Sequence, residues 1–346
     1  MWYYKFFRTI VNIPKIVIYI VLSYYQQNLE ILYDKVTFIS NEVRSETRNF
    51  YFLKDLEICK CKSLSKCDCL ILIDKFTYIT FFKNIIYMKR IRVVDIDFFA
   101  HLGLNMLINI GFFDICTNAE RTSIKQQSLS NFNNLKKNLL NKEVIVLGTD
   151  STFSNNVKLI KNRPVFICND GVKQISNIES EIKILSFADP MFHFSIHENA
   201  QKFISLVKQN EDYIDYLIVP VNAVSIIQNM KINAHLIGVT SSNKNKEFLE
   251  LREKQIVTKK THNVITQFML PIALYTSKKV FLGSVSLSNI FDKKLWRYDN
   301  KLVKKNEKAY AFNYSFFKDR NFRNYYKRHN NFLTKIINES NNLEIL

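Results

Sequence analysis

Residues 144–153, VIVLGTDSTF, are the stretch that most constrains the fold of this chain. The β-branched and leucine residues predict a buried strand, and Gly148 followed by small polar residues predicts a turn where that strand ends. Such a strand and turn are typical of parallel sheets, in which ligands bind beyond the carboxyl ends of the strands. The second and third glycines of a dinucleotide fingerprint are missing, so the turn favours a single nucleotide over NAD.

Short apolar segments alternate with longer amphipathic ones through the second half of the chain. This alternation predicts an α/β fold, with a Rossmann-like, mostly parallel sheet that helices cover on both faces. The predicted strands are EVIVLG, RPVFICN, EIKILSFAD, DYLIVPV, NAHLIGV and KKVFLGSV, and the predicted helices are ENAQKFISLVKQN, NKEFLELREKQ and THNVITQFMLPIALYTS. Pro271 lies inside the last of these helices and predicts a kink or a turn there.

Changes in composition divide the chain into three parts. Residues 1–128 mix apolar runs with basic residues and predict an N-terminal α/β region. Residues 129–142 are polar and predict a linker or a connecting helix. Residues 143–346 hold the alternating pattern and predict the Rossmann-like domain that binds the substrate.

The overall composition excludes a disordered protein and indicates an attraction to anions. Hydrophobic residues make up 47% of the chain, and the formal net charge is +18. Such a charge favours nucleic acid, an acidic membrane or phosphorylated substrates, although a compositional drift towards lysine explains it as well. No nucleic-acid-binding module accompanies the charge, so we expect no specific nucleic-acid partner.

The apolar N-terminal stretch IPKIVIYIVLSYY is too short to cross a membrane. Its uncharged run extends from Ile16 to Tyr25, whereas a spanning helix needs about 20 apolar residues. No small-residue cleavage site follows it, so we do not expect a signal peptide. The stretch fits either a membrane interface or an amphipathic helix packed on the protein's own core. We expect a cytoplasmic protein, with a peripheral association with the inner face of the membrane as one alternative.

Four cysteines are concentrated in the segment CKCKSLSKCDC, which predicts a β-hairpin with its tip near residues 63–65. Two facing C-x-C pairs could hold zinc through four thiolates, but the common spacing in structural zinc sites is C-x-x-C. Buried reduced thiols are the favoured alternative, and nothing indicates a disulfide scaffold, which agrees with a reducing cytoplasm. The cysteines of this segment are Cys59, Cys61, Cys67 and Cys69.

Small polar and acidic residues follow several of the predicted strands. Because the carboxyl ends of parallel strands meet at one edge of a sheet, we expect these residues to surround one pocket. Asn and Asp suit ribose hydroxyls and base edges, while Gly, Ser and Thr turns offer N–H groups to phosphate. Ordinary turn chemistry explains the same residue types. The predicted nucleotide-binding residues are Gly148, Thr149, Asp150, Ser151, Asn169, Asp170, Asp189, Pro190, Ser284 and Ser286.

Four segments resemble, in order and spacing, the bacterial sialyltransferases of glycosyltransferase family forty-two and related polysaccharide-biosynthesis proteins. The segments are KEVIVLGTDSTF, RPVFICND, IKILSFADPMFHF and THNVITQFMLPIALYTSKKVFLGSVSLS, and the resemblance covers about residues 143–335. It implies a glycosyltransferase that moves a sugar from a nucleotide-sugar donor, CMP-linked in that family, to a surface-glycan acceptor. The acceptor would be an oligosaccharide or a lipid-linked glycan of lipopolysaccharide or capsule, and the displacement would be inverting, with no metal or other cofactor.

The resemblance also implies roles for individual residues. Tyr310, in AYAF, would donate to the departing phosphate, and Lys260 would help to meet its charge. His329, in YYKRHNNFL, would act as the general base, with a pKa near neutrality. His262 and Asn263 would lie against the donor or acceptor sugar.

Three positions depart from the family pattern. Thr149-Asp150 stands in place of Asn-Gly, Asp189-Pro190 in place of Asn-Pro, and Ser286 in place of an aspartate. These changes leave the donor nucleotide open. They also leave open a non-catalytic nucleotide- or glycan-binding protein of the same fold, because a fold does not guarantee an activity.

Two patterns offer a metal-dependent alternative. Asp95 and Asp97 follow a β-branched strand in an Asp-x-Asp arrangement, which can hold a divalent cation against a donor diphosphate. His193 and His197 lie four residues apart, but the aromatic residues around His193 favour packing over metal binding. The favoured prediction remains a site without a metal.

Overall fold

The protein is described here by a computed structural model. It describes residues 35–38, 57–58, 70–73, 78–83, 85–86, 91–93, 117–149, 152–188, 193, 198–245, 247–252, 255–261, 263–285 and 322–346. The chain divides into two compact units, the first comprising Met1–Asn118 and Asn300–Arg320, the second Ala119–Asp299 and Asn321–Leu346.

The first unit contains a four-stranded parallel sheet and a short helix, as expected for an N-terminal α/β region. The strands are β1 Lys35–Phe38, β2 Glu57–Ile58, β3 Leu70–Ile73 and β4 Ile91–Val93, and helix α1 is Tyr78–Lys83. The strand order is β2-β1-β3-β4, and each neighbouring pair runs parallel. Crossovers between parallel strands require connections longer than a tight turn, which explains the wide sequence spacing of these strands.

The hairpin predicted around the clustered cysteines is wrong. Strands β2 and β3 both run parallel to β1 and lie on opposite sides of it, so they do not pair with one another. A hairpin requires two adjacent antiparallel strands. The side chains of Cys59, Cys61, Cys67 and Cys69 lie outside the described residues, so zinc binding and reduced thiols both stay predictions for them.

The second unit is built on a nine-stranded sheet. Its strands are β5 Glu143–Leu147, β6 Val165–Cys168, β7 Lys183–Ser186, β8 Tyr216–Pro220, β9 His235–Ser242, β10 Leu249–Arg252, β11 Gln255–Lys259, β12 Lys279–Gly283 and β13 Leu343–Ile345. The order is β10-β11-β9-β8-β7-β6-β5-β12-β13, and the β10–β11 pair is antiparallel while the other pairs are parallel. The predicted Rossmann-like, mostly parallel α/β fold is confirmed, and each of the six predicted strands is present.

Helices connect these strands and cover the sheet. They are α2 Asn118–Leu139, α3 Phe153–Val157, α4 Glu198–Gln209, α5 Val224–Asn229, a π-helical segment Ile265–Met269, α6 Leu270–Thr276 and α7 Phe322–Glu339. A 3₁₀-helix, Asn169–Asn177, follows β6.

Both faces of the sheet are buried, as the near-continuous apolar character of its strands predicts. In β5 the four residues Val144, Ile145, Val146 and Leu147 are all fully buried, although alternate residues point to opposite faces. One face packs against α2, the π-helical segment, α6 and α7, whose contributions include Phe132, Leu135, Phe268, Ile272, Leu333 and Ile336. Removing one such side chain from water stabilises the fold by about 1.5–3 kcal/mol.

The helix predicted for NKEFLELREKQ is wrong, because this segment contains β10 and the start of β11. Leu249 pairs with Thr258 across the antiparallel ladder. The guanidinium of Arg252 donates to the carboxylate of Glu250 at 2.9 Å. Residues i and i+2 share a face on a strand but not on a helix, so this charge pair was a strand signal that the sequence contained.

The helix predicted for THNVITQFMLPIALYTS is present and changes its form at Pro271. Proline cannot donate a backbone hydrogen bond, and its ring clashes with the carbonyl four residues earlier in a regular α-helix. The π-helical segment Ile265–Met269 lies directly before it, and α6 then continues to Thr276. A π-helical turn is one of the known ways for a helix to tolerate such a residue. Pro271 therefore alters the helix without ending it.

The boundary predicted at residue 128 lies inside helix α2, which belongs to the second unit. Residues 129–139 form part of that unit's core, because Phe132, Leu135 and Leu139 are fully buried. The segment is a helix, as one alternative predicted, but it packs against the sheet and does not act as a linker. The grouping of Asn300–Arg320 with the first unit is a second departure from the predicted domain 143–346.

None of the helices in the described part of the chain is both long and apolar enough to cross a bilayer. The N-terminal stretch at residues 16–25 lies outside the described residues.

Replacement of Ser128 by Ala should destabilise the second unit. The Ser128 hydroxyl donates to the Ile124 carbonyl at 2.7 Å and accepts from the Gly238 N–H at 3.0 Å, so it ties α2 to β9. Ala would leave the buried N–H of Gly238 unpaired, at a cost of about 1–3 kcal/mol in the free energy of unfolding.

Urea unfolding of Ser128→Ala, with Ser130→Ala on the exposed side of the same helix as the control, measures this effect. Equal stabilities of the two variants would contradict the assignment of α2 to the core.

Candidate functional site

The order of strands in the second unit reverses next to β5. From β5 the chain adds β6, β7, β8 and β9 in one direction, and then returns to place β12 and β13 on the other side. Strands β5 and β12 are parallel neighbours with Leu147 opposite Gly283. Their carboxyl ends therefore form a topological switch point, where open α/β sheets leave a crevice for ligands.

Gly148 forms the junction between the two strand ends. Its N–H donates to the Gly283 carbonyl at 3.0 Å, which extends the ladder by one bond beyond β5. A Cβ atom at residue 148 would lie 2.2 Å from the Ser284 carbonyl oxygen, so no larger residue fits without a backbone shift. Ser284 itself adopts a left-handed conformation with φ of 55° and is 4% exposed. The predicted residues Gly148 and Ser284 are thus in direct contact.

Three polar side chains converge beyond this junction. The amide of Asn156 donates to the Ser284 hydroxyl at 3.0 Å and to the Thr152 hydroxyl at 3.3 Å. The Thr152 hydroxyl also donates to the Ser284 hydroxyl, at 3.3 Å. Among the described residues, the hydroxyl oxygen of Ser284 thus accepts two hydrogen bonds. Hydroxyl and amide groups of this kind can donate to an anionic or carbonyl oxygen of a ligand.

These side chains line one wall of a cavity of about 270 Å³. The opposite wall is apolar and comes from α7 and β13, through Leu333, Ile337, Ile345 and Leu346. Ligand sites usually combine an apolar lining with a few convergent polar groups, and their volumes are about 300–1,000 Å³. The cavity therefore suits part of a mononucleotide, such as a phosphate with a ribose, and is too small for a dinucleotide.

Asn169 lies at the end of β6, the strand next to β5. It adopts a left-handed conformation with φ of 47°, and its side-chain oxygen is buried with no hydrogen-bond partner among the described residues. A buried polar atom without a partner is costly and calls for a ligand or a water molecule. The neighbouring predicted residue, Asp170, differs, because its carboxylate pairs with the Lys173 ammonium at 3.0 Å.

Three polar side chains near these strand ends were not among the predicted nucleotide-binding residues. Thr152 and Asn156 line the cavity, and the fully buried Ser186 ends β7 with an unpaired hydroxyl. The i, i+4 spacing of Thr152 and Asn156 was a usable signal, since it places both on one face of a helix. For Ser186, the signal was a serine at the end of an otherwise apolar strand.

The structure places Lys260 and Asn263 beside β11, which four other strands separate from β5. The Lys260 N–H donates to the Ser242 carbonyl at 3.1 Å, and its side chain is half-buried. The Asn263 side chain accepts from the Ile265 N–H at 2.9 Å and so caps the helix that follows. The order of the strands therefore does not place either residue at the crevice between β5 and β12.

His329 lies on α7, one turn before the cavity-lining Leu333 and on the same face of that helix. The ring is 4% exposed, and its Nδ1 lies 3.2 Å from the Thr266 hydroxyl. Thr266 in turn lies 2.8 Å from the Thr261 hydroxyl, so the three side chains form a buried hydrogen-bonded row. Helix α7 thus connects this row to the apolar wall of the cavity.

Burial lowers the pKa of His329 to about 4. The expectation of a pKa near neutrality is therefore wrong, because burial would deprive the charged ring of its hydration. The imidazole is neutral at pH 7, as a general base must be, but it is a weak base. Its predicted role in proton transfer stays a prediction.

Packing accounts for the surroundings of one further histidine and one cysteine. His193 is 5% exposed and lies 4.7 Å from the Phe187 ring and 4.8 Å from the Phe203 ring, centroid to centroid. Cys168 is buried, and burial raises the pKa of its thiol to about 12, which makes it unreactive. Within the described ranges, no three His, Cys, Asp or Glu residues group together as metal ligands.

Several predicted residues lie outside the described residues, and their roles stay predictions. They are Asp150, Ser151, Asp189, Pro190, His262, Ser286 and Tyr310, together with Asp95, Asp97 and His197 of the metal-dependent alternatives.

The stability of the second unit should fall as the pH is lowered from about 6.5 to about 4. The unfolded chain binds a proton at His329 in this window whereas the folded chain does not, so the unfolded state gains stability as the pH falls. A shift of this size corresponds to about 3 kcal/mol in the free energy of unfolding.

Urea titrations between pH 4 and 7 measure the slope, and His329→Gln, which can still bond to Thr266, should flatten it. His235→Gln, at an exposed ring, is the control and should keep the wild-type slope. An unchanged slope in His329→Gln would show that the ring is not buried in its neutral form.

No protein-family model, curated protein or solved structure matches this chain. The resemblance to the sialyltransferases therefore rests on the four sequence segments alone.

Proposed function

We propose that this chain is a glycosyltransferase of the sialyltransferase-like kind, which binds its nucleotide-sugar donor at the crevice between the ends of β5 and β12. The observation that carries the proposal is the convergence of Gly148, Thr152, Asn156 and Ser284 at the switch point of a mostly parallel sheet. This is the position at which α/β sheets bind nucleotides most often.

The chemistry of the crevice supports a phosphate-containing ligand. Hydroxyl and amide groups are neutral donors that can bind phosphate oxygens and stabilise the charge that develops on a leaving phosphate. The net charge of +18 favours the approach of an anionic donor. Asn169, one strand away, adds an unpaired amide oxygen that suits a ribose hydroxyl or an amino group of a base.

In the proposed reaction, an acceptor hydroxyl attacks the anomeric carbon of the donor sugar and gives its proton to a general base, the role that the resemblance implies for His329. The bond from the anomeric carbon to the phosphate oxygen breaks, and the nucleotide leaves with the electrons of that bond. The donor is CMP-linked and the acceptor is a surface-glycan chain, as the sequence resemblance implies. Groups at the crevice hold the leaving phosphate, so that the displacement inverts the anomeric centre without a metal.

A non-catalytic nucleotide- or glycan-binding protein is the second candidate, and one observation favours it. His329 has a pKa of about 4 and is 4% exposed, whereas an efficient general base has a pKa near the working pH and reaches its substrate. With this ring as the general base, the crevice would bind a nucleotide-sugar but transfer its sugar slowly.

Thermal-shift measurements with CMP, UDP, GDP and AMP test the binding step. We expect CMP to raise the melting temperature, because a ligand that binds only the folded state stabilises it. Asn156→Ala should weaken CMP binding by about tenfold, the loss expected for a hydrogen-bonding group at a ligand site. Asn155→Ala, on the exposed side of the same short helix, is the matched control and should bind as the wild type does.

No stabilisation by any of the four nucleotides, or equal losses in the two variants, would overturn the proposed site. Release of sugar from a CMP-linked donor, assayed with EDTA and with Mn²⁺, then separates the candidates. Turnover in EDTA supports the metal-free transferase, strong dependence on Mn²⁺ supports the Asp-x-Asp alternative, and nucleotide binding without turnover supports the binding protein.

A further inference from the structure

We propose that the surface formed by Ile79, Phe82, Lys83, Ile85 and Ile86, the α1 surface, docks on an anionic lipid membrane. It belongs to the first unit, follows β3, and comprises residues of helix α1 and of the 3₁₀ stretch at residues 85–86. The proposal is independent of the function proposed for the second unit, and it concerns a different segment from the N-terminal stretch discussed above.

The α1 surface is a dense cluster of exposed apolar side chains. Ile79 is 68% exposed, Phe82 61%, Ile85 43% and Ile86 78%. The other large hydrophobic side chains exposed in the described ranges are spread over the second unit, mostly as single residues. Single exposed apolar residues are ordinary, but four within eight positions mark a surface that is covered by a partner.

The spacing of these residues gives the cluster a direction. Ile79 and Phe82 lie three residues apart on α1, which places both side chains on one side of that helix, and Ile85 and Ile86 follow after the helix ends. Lys83 is exposed in the last turn of α1, next to them. An apolar side with a lysine at its border is the arrangement found in segments that lie in the interface plane of a bilayer.

The charge around the cluster selects the kind of partner. Residues 74–92 carry five lysines and arginines and one aspartate, and the whole chain has a formal charge of +18. Anionic headgroups attract such a basic segment, while the apolar side chains enter the boundary of the acyl region. A second copy of the chain would bring the same positive charge to the surface and would be repelled, so self-association is the weaker explanation.

Vesicle flotation with the full-length chain tests this proposal. We expect binding to vesicles of phosphatidylcholine with phosphatidylglycerol, and weak binding to phosphatidylcholine alone. Ile79→Asp with Ile86→Asp should reduce binding to the anionic vesicles by at least about tenfold, because it replaces inserted apolar groups by charges that the headgroups repel. Lys83→Glu should reduce it by about tenfold, since it removes one cation and adds an anion at the headgroup level.

Leu140→Asp with Leu159→Asp is the matched control, because it introduces the same charges at exposed apolar positions of the second unit. It should bind as the wild type does, and circular dichroism checks that each variant is folded. If the Asp pair fails to fold, Ile79→Ser with Ile86→Ser replaces it, with the same expected loss.

Failure of the wild type to bind anionic vesicles would overturn the proposal. Undiminished binding by the Ile79/Ile86 variants would also overturn it and would assign the membrane contact to another segment. A wild-type dimer that these variants dissociate, in the absence of vesicle binding, would assign the α1 surface to self-association instead.

Discussion

The second unit depends on the close passage of two strand ends, where the Gly148 N–H donates to the Gly283 carbonyl at 3.0 Å. Between β5 and β12 the chain forms six of the nine strands of the sheet, and β12 then pairs with β5, the strand from which the chain left. The return is possible only because residue 148 has no side chain, as a Cβ atom there would lie 2.2 Å from the Ser284 carbonyl oxygen. The same contact brings Ser284 to Thr152 and Asn156. One steric requirement therefore closes the sheet and assembles the polar wall of the crevice.

Helix α7 supplies the other wall and joins the crevice to the core. Leu333 and Ile337 face the cavity, Leu333 and Ile336 are also part of the hydrophobic core, and His329 reaches the buried row of Thr266 and Thr261. The ring is neutral at pH 7 in this environment because burial lowers its pKa to about 4. A helix that packs the core and borders the ligand cavity couples ligand binding to the stability of the whole unit.

Much of the fold could be predicted because burial on both faces of a parallel sheet leaves continuous apolar runs, and each of the six predicted strands followed from such a run. The segment that became β10 could not be assigned this way, since it lies at the edge of the sheet and its charges resemble those of an amphipathic helix. The cysteine segment was misassigned because a turn-like sequence does not show whether its flanking strands pair with one another or with β1. Which distant strands pair depends on how the whole unit packs, and the local sequence does not show that packing.

For the candidate site, the strand ends were predictable and the helical contributions were not. Gly148 and Ser284 follow their strands directly, so the switch-point rule located them. The positions of Asn156 and of the apolar wall depend on how α3 and α7 pack. A pattern of residue types does not predict that packing. The near-neutral pKa expected for His329 came with the general-base role that the resemblance implies, and the residue pattern did not show that its side of the helix faces the core.

Amide hydrogen–deuterium exchange with and without CMP tests whether a nucleotide occupies the crevice between β5 and β12. We expect slower exchange in the presence of CMP at residues 148–157 and 282–285, with no change in helix α4, Glu198–Gln209. Exchange that is unchanged at those two segments, or slowed only elsewhere in the chain, would contradict this expectation.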